Sequence, residues 1–122
     1  MAHILIVDDD AVIRDLITDV LSAQSHTCVP AESGDEALAL IAKARFDLVI
    51  LDRNMPLMSG IQVLKTLRAS PASADLKVIM CTAAELLAEA DEAFQAGAID
   101  YIIKPVDLKK LVAKVAHHTR PF

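Results

Sequence analysis

Four places in the 122-residue chain put a residue able to handle phosphate directly after a short apolar run. Ile4-Leu5-Ile6-Val7 runs into Asp8-Asp9, and Leu48-Val49-Ile50-Leu51 into Asp52. Val78-Ile79-Met80-Cys81 runs into Thr82, and Tyr101-Ile102-Ile103 into Lys104-Pro105. If these runs are parallel strands of one sheet, their carboxyl ends share an edge. Three carboxylates, a hydroxyl and an ammonium then meet in one pocket. Carboxylates that close repel, so some protonate or a cation joins them. An all-oxygen donor set favours a hard ion such as Mg²⁺, which keeps several waters and leaves positions for a phosphoryl group. A carboxylate oxygen can accept that group as an acyl phosphate. The metal, Lys104 and Thr82 can balance charge on the equatorial oxygens.

The elements that must position these residues are readable as an alternation. After the first strand, Ile13, Leu16, Ile17, Val20 and Leu21 repeat at helical spacing and give one apolar stripe. A second strand, Thr27 to Ala31, contains Pro30, which cannot donate to a ladder and so marks an edge. Ser33, with Glu36 three residues on, fits a capping box for a helix running to about Lys43. The third strand, Phe46 to Leu51, is apolar throughout, as expected with helices on both faces. A loop through Pro56 and Gly60 leads to a helix from about Ile61 to Arg68. The fourth strand runs from about Leu76 to Cys81, and an Ala- and Glu-rich helix extends to about Gln95, stopped by Gly97. Its Leu86-Leu87 stretch reads as core on one side and docking surface on the other. The fifth strand spans about Ile99 to Ile103, and a last helix about Asp107 to His117.

Five βα units predict an α/β fold with a five-stranded parallel sheet between two helical layers. Right-handed crossovers leave few topologies. The most apolar strands, one and three, belong at the centre, and strand two at the edge. The order 2-1-3-4-5 follows. This is the flavodoxin-like (βα)5 three-layer sandwich, whose ligands sit at the switch between strands one and three. Asp8, Asp9 and Asp52 end those two strands.

Composition bounds the function. Residues 1–122 are enough for one domain and one core. The apolar share of 54% excludes a disordered chain. No apolar stretch approaches the ~20 residues of a membrane span, and Met1-Ala2-His3 carries no secretory signature. Cys28 and Cys81 lie in separate apolar runs and read as core thiols of a reducing, cytoplasmic protein. A net charge of −5, with no basic run, argues against direct nucleic-acid binding and for a protein partner. The four histidines form no ligand set at these strand ends.

The motifs Asp8-Asp9, Leu51-Asp52-Arg53-Asn54-Met55-Pro56, Thr82-Ala83 and Tyr101-Ile102-Ile103-Lys104-Pro105 occur in that order. Together they resemble the receiver domain of two-component response regulators, over about His3 to Val115. The resemblance implies that Asp52 is the phosphoacceptor. It implies that Asp9 binds Mg²⁺ directly and Asp8 through water, with Asp52 and the backbone carbonyl of Asn54 completing the protein ligands. Thr82 and Lys104 would hold the phosphoryl oxygens, and Tyr101 would turn inward when Thr82 is drawn to the phosphate. The Lys104-Pro105 peptide would be cis. Asn54 and Ala84 would bear on the lifetime of the phosphate. Implied partners are a sensor histidine kinase or a histidine phosphotransfer protein, and a protein target or a fused output domain. The switching face would be that of the fourth helix, fifth strand and fifth helix. Such a domain is a phosphoacceptor switch with Mg²⁺-dependent chemistry on itself, not an enzyme. Whether phosphorylation pairs two chains stays open.

Two other readings are weighed. Asp8-Asp9-Asp10-Ala11-Val12 also fits the Asp-x-Asp-x-Val start of haloacid-dehalogenase-type aspartyl phosphatases. Those enzymes need a late acidic motif, where this chain has Lys104-Pro105, and usually a cap insertion. Asp10 reads instead as the cap of the first helix. Flavin binding on the same fold would set a phosphate against three aspartates.

Overall fold

The computed structural model describes residues 2–83 and 90–120. Ala84 and Leu86-Leu87 lie outside the described residues. Five strands, β1 (His3–Val7), β2 (Thr27–Ala31), β3 (Leu48–Asp52), β4 (Val78–Ala83) and β5 (Asp100–Lys104), form one sheet. The order is β2-β1-β3-β4-β5, and every pairing is parallel. The helices are α1 (Ala11–Ala23), α2 (Gly34–Lys43), α3 (Gly60–Ala69), α4 (Ala90–Ala96) and α5 (Leu108–His118).

Alternation along the strands divides the core into two layers. Leu5, Val7, Val49, Leu51, Val78 and Met80 face Ala37 of α2, Val63 and Leu64 of α3, and Ala93 of α4. Ile4, Ile6, Leu48, Ile50, Ile79 and Cys81 face Ile17 and Leu21 of α1 and Leu111 and Val115 of α5. Every residue of β3 is buried, as its unbroken apolar run requires. β2 is the outer strand, with Pro30 opposite Ile6. Thr27 turns its N–H toward β1, donating to the Ala2 carbonyl at 2.8 Å. By alternation the Pro30 nitrogen faces outward, where no ladder bond is lost.

Strand limits differ from the sequence reading at both ends. β3 starts at Leu48 rather than Phe46: the Asp47 N–H still donates to the His3 carbonyl at 2.7 Å, but the His3 N–H goes to the Asp47 carboxylate at 2.8 Å instead of to a main-chain carbonyl. β4 starts at Val78 rather than Leu76, which is held in a turn by a bond to the Ser73 carbonyl at 3.2 Å. The sequence reading stopped each strand at its first polar residue. The ladder goes further: Asp52 pairs with Cys81, Thr82 with Ile103, and Ala83 with Lys104. Asp52, Thr82 and Lys104 therefore occupy the last rungs of the sheet rather than the loops beyond it.

The helix starts are set by side chains. Asp10 accepts from the N–H groups of Val12 and Ile13 and caps α1. Ser33 caps α2, but the Glu36 carboxylate reaches back to the Glu32 N–H, so the expected reciprocal box is incomplete. The complete box lies at α3, where Ser59 and Gln62 bond each other's main chain. Gly97, at φ 111°, stops α4, in the backbone region that favours glycine. Among the described residues no helix is long and apolar enough to cross a membrane.

Gly60 has a steric role. Its N–H donates to the Arg53 carbonyl at 2.8 Å, folding the loop after Asp52 back on itself. A Cβ at position 60 would run into the Asp52 carbonyl oxygen and lie 2.9 Å from the Arg53 Cα. Because main-chain atoms cannot step aside, Gly60→Ala is expected to destabilise the fold by about 1–3 kcal/mol. Urea denaturation measures this, and a variant as stable as the native chain would contradict the packing described.

Candidate functional site

The register of the sheet assembles the site. Val7 pairs with Leu51, so Asp8 and Asp52, each following or ending its strand, lie side by side. Lys104 ends β5 and reaches back across the edge. Its ammonium stands 3.1 Å from Asp8 Oδ2 and 3.1 Å from Asp52 Oδ1. Asp8 and Asp52 are buried, whereas Asp9 is exposed at the mouth. Carboxylate oxygens of Asp8, Asp9 and Asp52 all lie within 4.8 Å of one another. The Asn54 N–H donates to Asp52 Oδ1 at 3.2 Å, turning the loop after β3 over that carboxylate.

Thr82, the penultimate residue of β4, is buried at the same edge, and among the described residues its Oγ1 has no hydrogen-bond partner. A buried hydroxyl without a partner is costly and uncommon. Here Thr82 follows Cys81, which pairs with Asp52, and its partner rung Ile103 precedes Lys104, so it shares the sheet edge that carries the acids and the ammonium. That donor set fits a hard divalent ion and an oxyanion, which between them would satisfy both the surplus negative charge and the hydroxyl. The Lys104–Pro105 peptide is cis.

Electrostatics follow from this crowding. Burial, and then the neighbouring Asp8 charge, push the Asp52 carboxyl up to about 6, against the opposing pull of Lys104 and the Asn54 N–H. Burial alone would favour a neutral Lys104, but the bonds to Asp52 and then Asp8 hold its ammonium above the ordinary lysine range. Burial pushes the Cys81 thiol up to about 12, so it is no rival nucleophile at neutral pH.

Two features of the loops were not singled out from sequence. Arg14 of α1 donates through Nη1 to the Asp8 carbonyl at 2.7 Å. Arg53, buried just after Asp52, pairs with Glu92 of α4 at 3.4 Å. Arg14 sits among the apolar positions of α1, and only its place four residues past the Asp10 cap could have drawn attention to it. On β5, Tyr101 is half-buried. Its ring meets the Phe94 ring edge-on at 5.7 Å, and Lys114 Nζ lies 5.3 Å from its centroid. The Asp10 side chain is committed to capping α1, so the Asp-x-Asp pattern of the phosphatase reading does not send its second carboxylate into the pocket.

The sequence profile of the response regulator receiver domain family matches residues 4–116. The chain belongs to that family. This receiver domain is 38% identical to the response regulator protein FleR of Pseudomonas aeruginosa, over 96% of the chain and 24% of that protein. It is 39% identical to the transcriptional regulatory protein ResD of Bacillus subtilis, over 92% of the chain and 45% of that protein. The chain thus spans less than half the length of these curated relatives. Among solved structures, the chemotaxis response regulator CheY4 of Vibrio cholerae superposes with a TM-score of 0.90 at 31% identity, covering 97% of this chain and 98% of that one. The receiver domain of NtrX from Brucella abortus gives 0.90 at 30% identity, covering 98% and 99%.

The raised Asp52 group makes a pH prediction. Its folded value, about 6, lies above the ordinary carboxyl value near 4. Between those values the folded chain binds more protons than the unfolded one, so stability falls as pH rises through the window. In chelator-containing buffer, Asp52→Asn should remove this component and be the more stable form at pH 7 by about 2 kcal/mol, with the difference closing toward pH 4. Urea midpoints across that range measure it. A variant that tracks the native profile would contradict the crowded-carboxylate assignment.

Proposed function

We propose that residues 1–122 act as a single phosphoacceptor switch in which Asp52 receives a phosphoryl group from a phosphohistidine. The observation that carries this reading is the convergence on one sheet edge: Lys104 within 3.1 Å of both Asp8 and Asp52, Asp9 alongside, and Thr82 with an unsatisfied hydroxyl. Asp9, Asp52 and the Asn54 carbonyl would hold Mg²⁺ directly, and Asp8 through water. When bound, the ion would offset negative charge on the transferring group. Asp52 is mostly ionised at neutral pH despite its raised value, which leaves an oxygen able to attack phosphorus. The new bond is Asp52 O–P, the bond broken is N–P of the donor imidazole, and the imidazole nitrogen leaves with the electron pair. Lys104 would move from pairing carboxylates to pairing a phosphoryl oxygen, and Thr82 would donate to another.

The acyl phosphate carries about −1.5 to −2 charge where the ionised carboxylate carried −1, and projects it on three phosphoryl oxygens. Drawing Thr82 toward it empties space into which Tyr101 can turn, and the face formed by α4, β5 and α5 changes its affinity for partners. The donor is a sensor histidine kinase or a histidine phosphotransfer protein. The output is a separate protein target or a domain fused to the receiver, as the names of FleR and ResD suggest for longer relatives. We place the domain in the cytoplasm, where such kinases present their phosphohistidine. It turns over no outside substrate, and its phosphorylation and dephosphorylation are chemistry on its own side chain.

The test is Mg²⁺-dependent labelling from acetyl phosphate, read by intact mass. The native chain should gain one phosphoryl group and Asp52→Asn none. Equal labelling of both would show that the acceptor was misassigned. A second variant separates metal binding from transmission. Lys104→Ala should bind Mg²⁺ at least as tightly as the native chain, because a competing cation is gone. It should also lose the change in Tyr101 emission that phosphorylation produces, a clean signal because Tyr101 is the sole tyrosine and tryptophan is absent. Loss of Mg²⁺ affinity in this variant would contradict the role given to Lys104.

A further inference from the structure

Two of the three clustered acids ride on the short loop between β1 and α1, and that loop is tied down at Asp8. The Asp8 N–H donates to the Ala31 carbonyl at 3.1 Å. The Asp10 N–H donates to Asp8 Oδ1 at 2.9 Å. The Arg14 guanidinium closes the set, reaching the Asp8 carbonyl at 2.7 Å. Asp9 lies between these anchors, exposed, so the place of its carboxylate depends on the main chain on either side. Arg14 is itself held in α1, its N–H bonded to the Asp10 carbonyl at 3.0 Å and its carbonyl accepting the Thr18 hydroxyl at 2.7 Å. The clamp therefore joins the rigid helix to the loop.

We infer that Arg14 is a positioning residue for the divalent ion, fixing through the Asp8 carbonyl the spacing of Asp8 and Asp9. This rests on the Mg²⁺ reading above. The geometry is informative because charge argues the other way. A guanidinium near a cation site repels the cation, so an arginine kept for its charge alone would weaken metal binding. Its bond goes to a main-chain oxygen, which fixes geometry and neutralises no carboxylate. The two roles predict opposite signs when Arg14 is replaced.

The experiment is a calorimetric Mg²⁺ titration of the full chain with native, Arg14→Met and Arg14→Lys proteins, each also melted in chelator. Arg14→Met keeps the stem and loses both charge and donor. It should bind Mg²⁺ roughly tenfold more weakly, the size typical of losing a residue that orients a ligand. Arg14→Lys restores a donor and should recover most of that loss. Both variants should melt within a few degrees of the native chain, which separates positioning from folding. Arg14→Met binding Mg²⁺ as tightly as native, or more tightly, overturns the inference while leaving the Mg²⁺ reading intact. A native chain that does not bind Mg²⁺ overturns both.

Discussion

The structure turns on a repulsion it does not fully relieve. Two buried carboxylates, Asp8 and Asp52, lie on neighbouring strands with an exposed third beside them, and Lys104 is the ammonium set between the buried pair. Parallel register makes this unavoidable: once Val7 pairs with Leu51, the acids that follow meet at the same edge. Burial sharpens the conflict, because the charges cannot be screened by water. The result is a carboxyl pushed up to about 6 by burial and the Asp8 charge, and a lysine held charged by its two carboxylates. A site left short of positive charge has a reason to recruit it, and a lysine shared by two acids has a reason to leave one of them for a stronger anion.

The same edge carries the connection outward. Thr82 and Ile103 are paired rungs, and Tyr101 lies two residues back on β5. Its ring is bracketed by Phe94 of α4 and Lys114 of α5. Lys114 also bonds the Asp100 carboxylate at 2.7 Å and the Tyr101 carbonyl at 3.0 Å, and His118 bonds Asp100 at 2.9 Å. The strand that ends in Lys104 is thereby fastened to α5 along its start. On the other side, Arg53 follows Asp52 and meets Glu92 of α4. Residues close in sequence to both Asp52 and Lys104 thus touch α4 and α5.

Much of this was legible in the residues. Apolar runs of strand length gave all five strands, and Pro30 gave the edge and so the order. The site was legible because its members stand at strand ends, where parallel topology brings them together whatever the loops do. What escaped were contacts that no period announces. Polarity, not pairing, is the signal a sequence offers, so it ends β3 at Leu51, β4 at Cys81 and β5 at Ile103, one or two residues short of the ladder. The cap at Ser33 was judged from spacing alone, yet Glu36 bonds Glu32, while the complete box at Ser59 and Gln62 lay unmarked. Arg14 and Arg53 read as ordinary helix and loop cations, since their partners, a main-chain carbonyl and Glu92, are fixed only by the fold.

Pro30 has a consequence for how copies of the molecule meet. A sheet with an open flank can accept a strand from another molecule and grow into a continuous ladder. On the β2 flank one of the outward donors is missing, and the rigid ring stands where an incoming chain would lie. Growth from that side is blocked at the fourth residue of a five-residue strand, leaving too few consecutive bonds for a stable intermolecular zipper. The fold thus closes one flank of the sheet to polymerisation and leaves β5, with Tyr101 and Lys104, as its other edge.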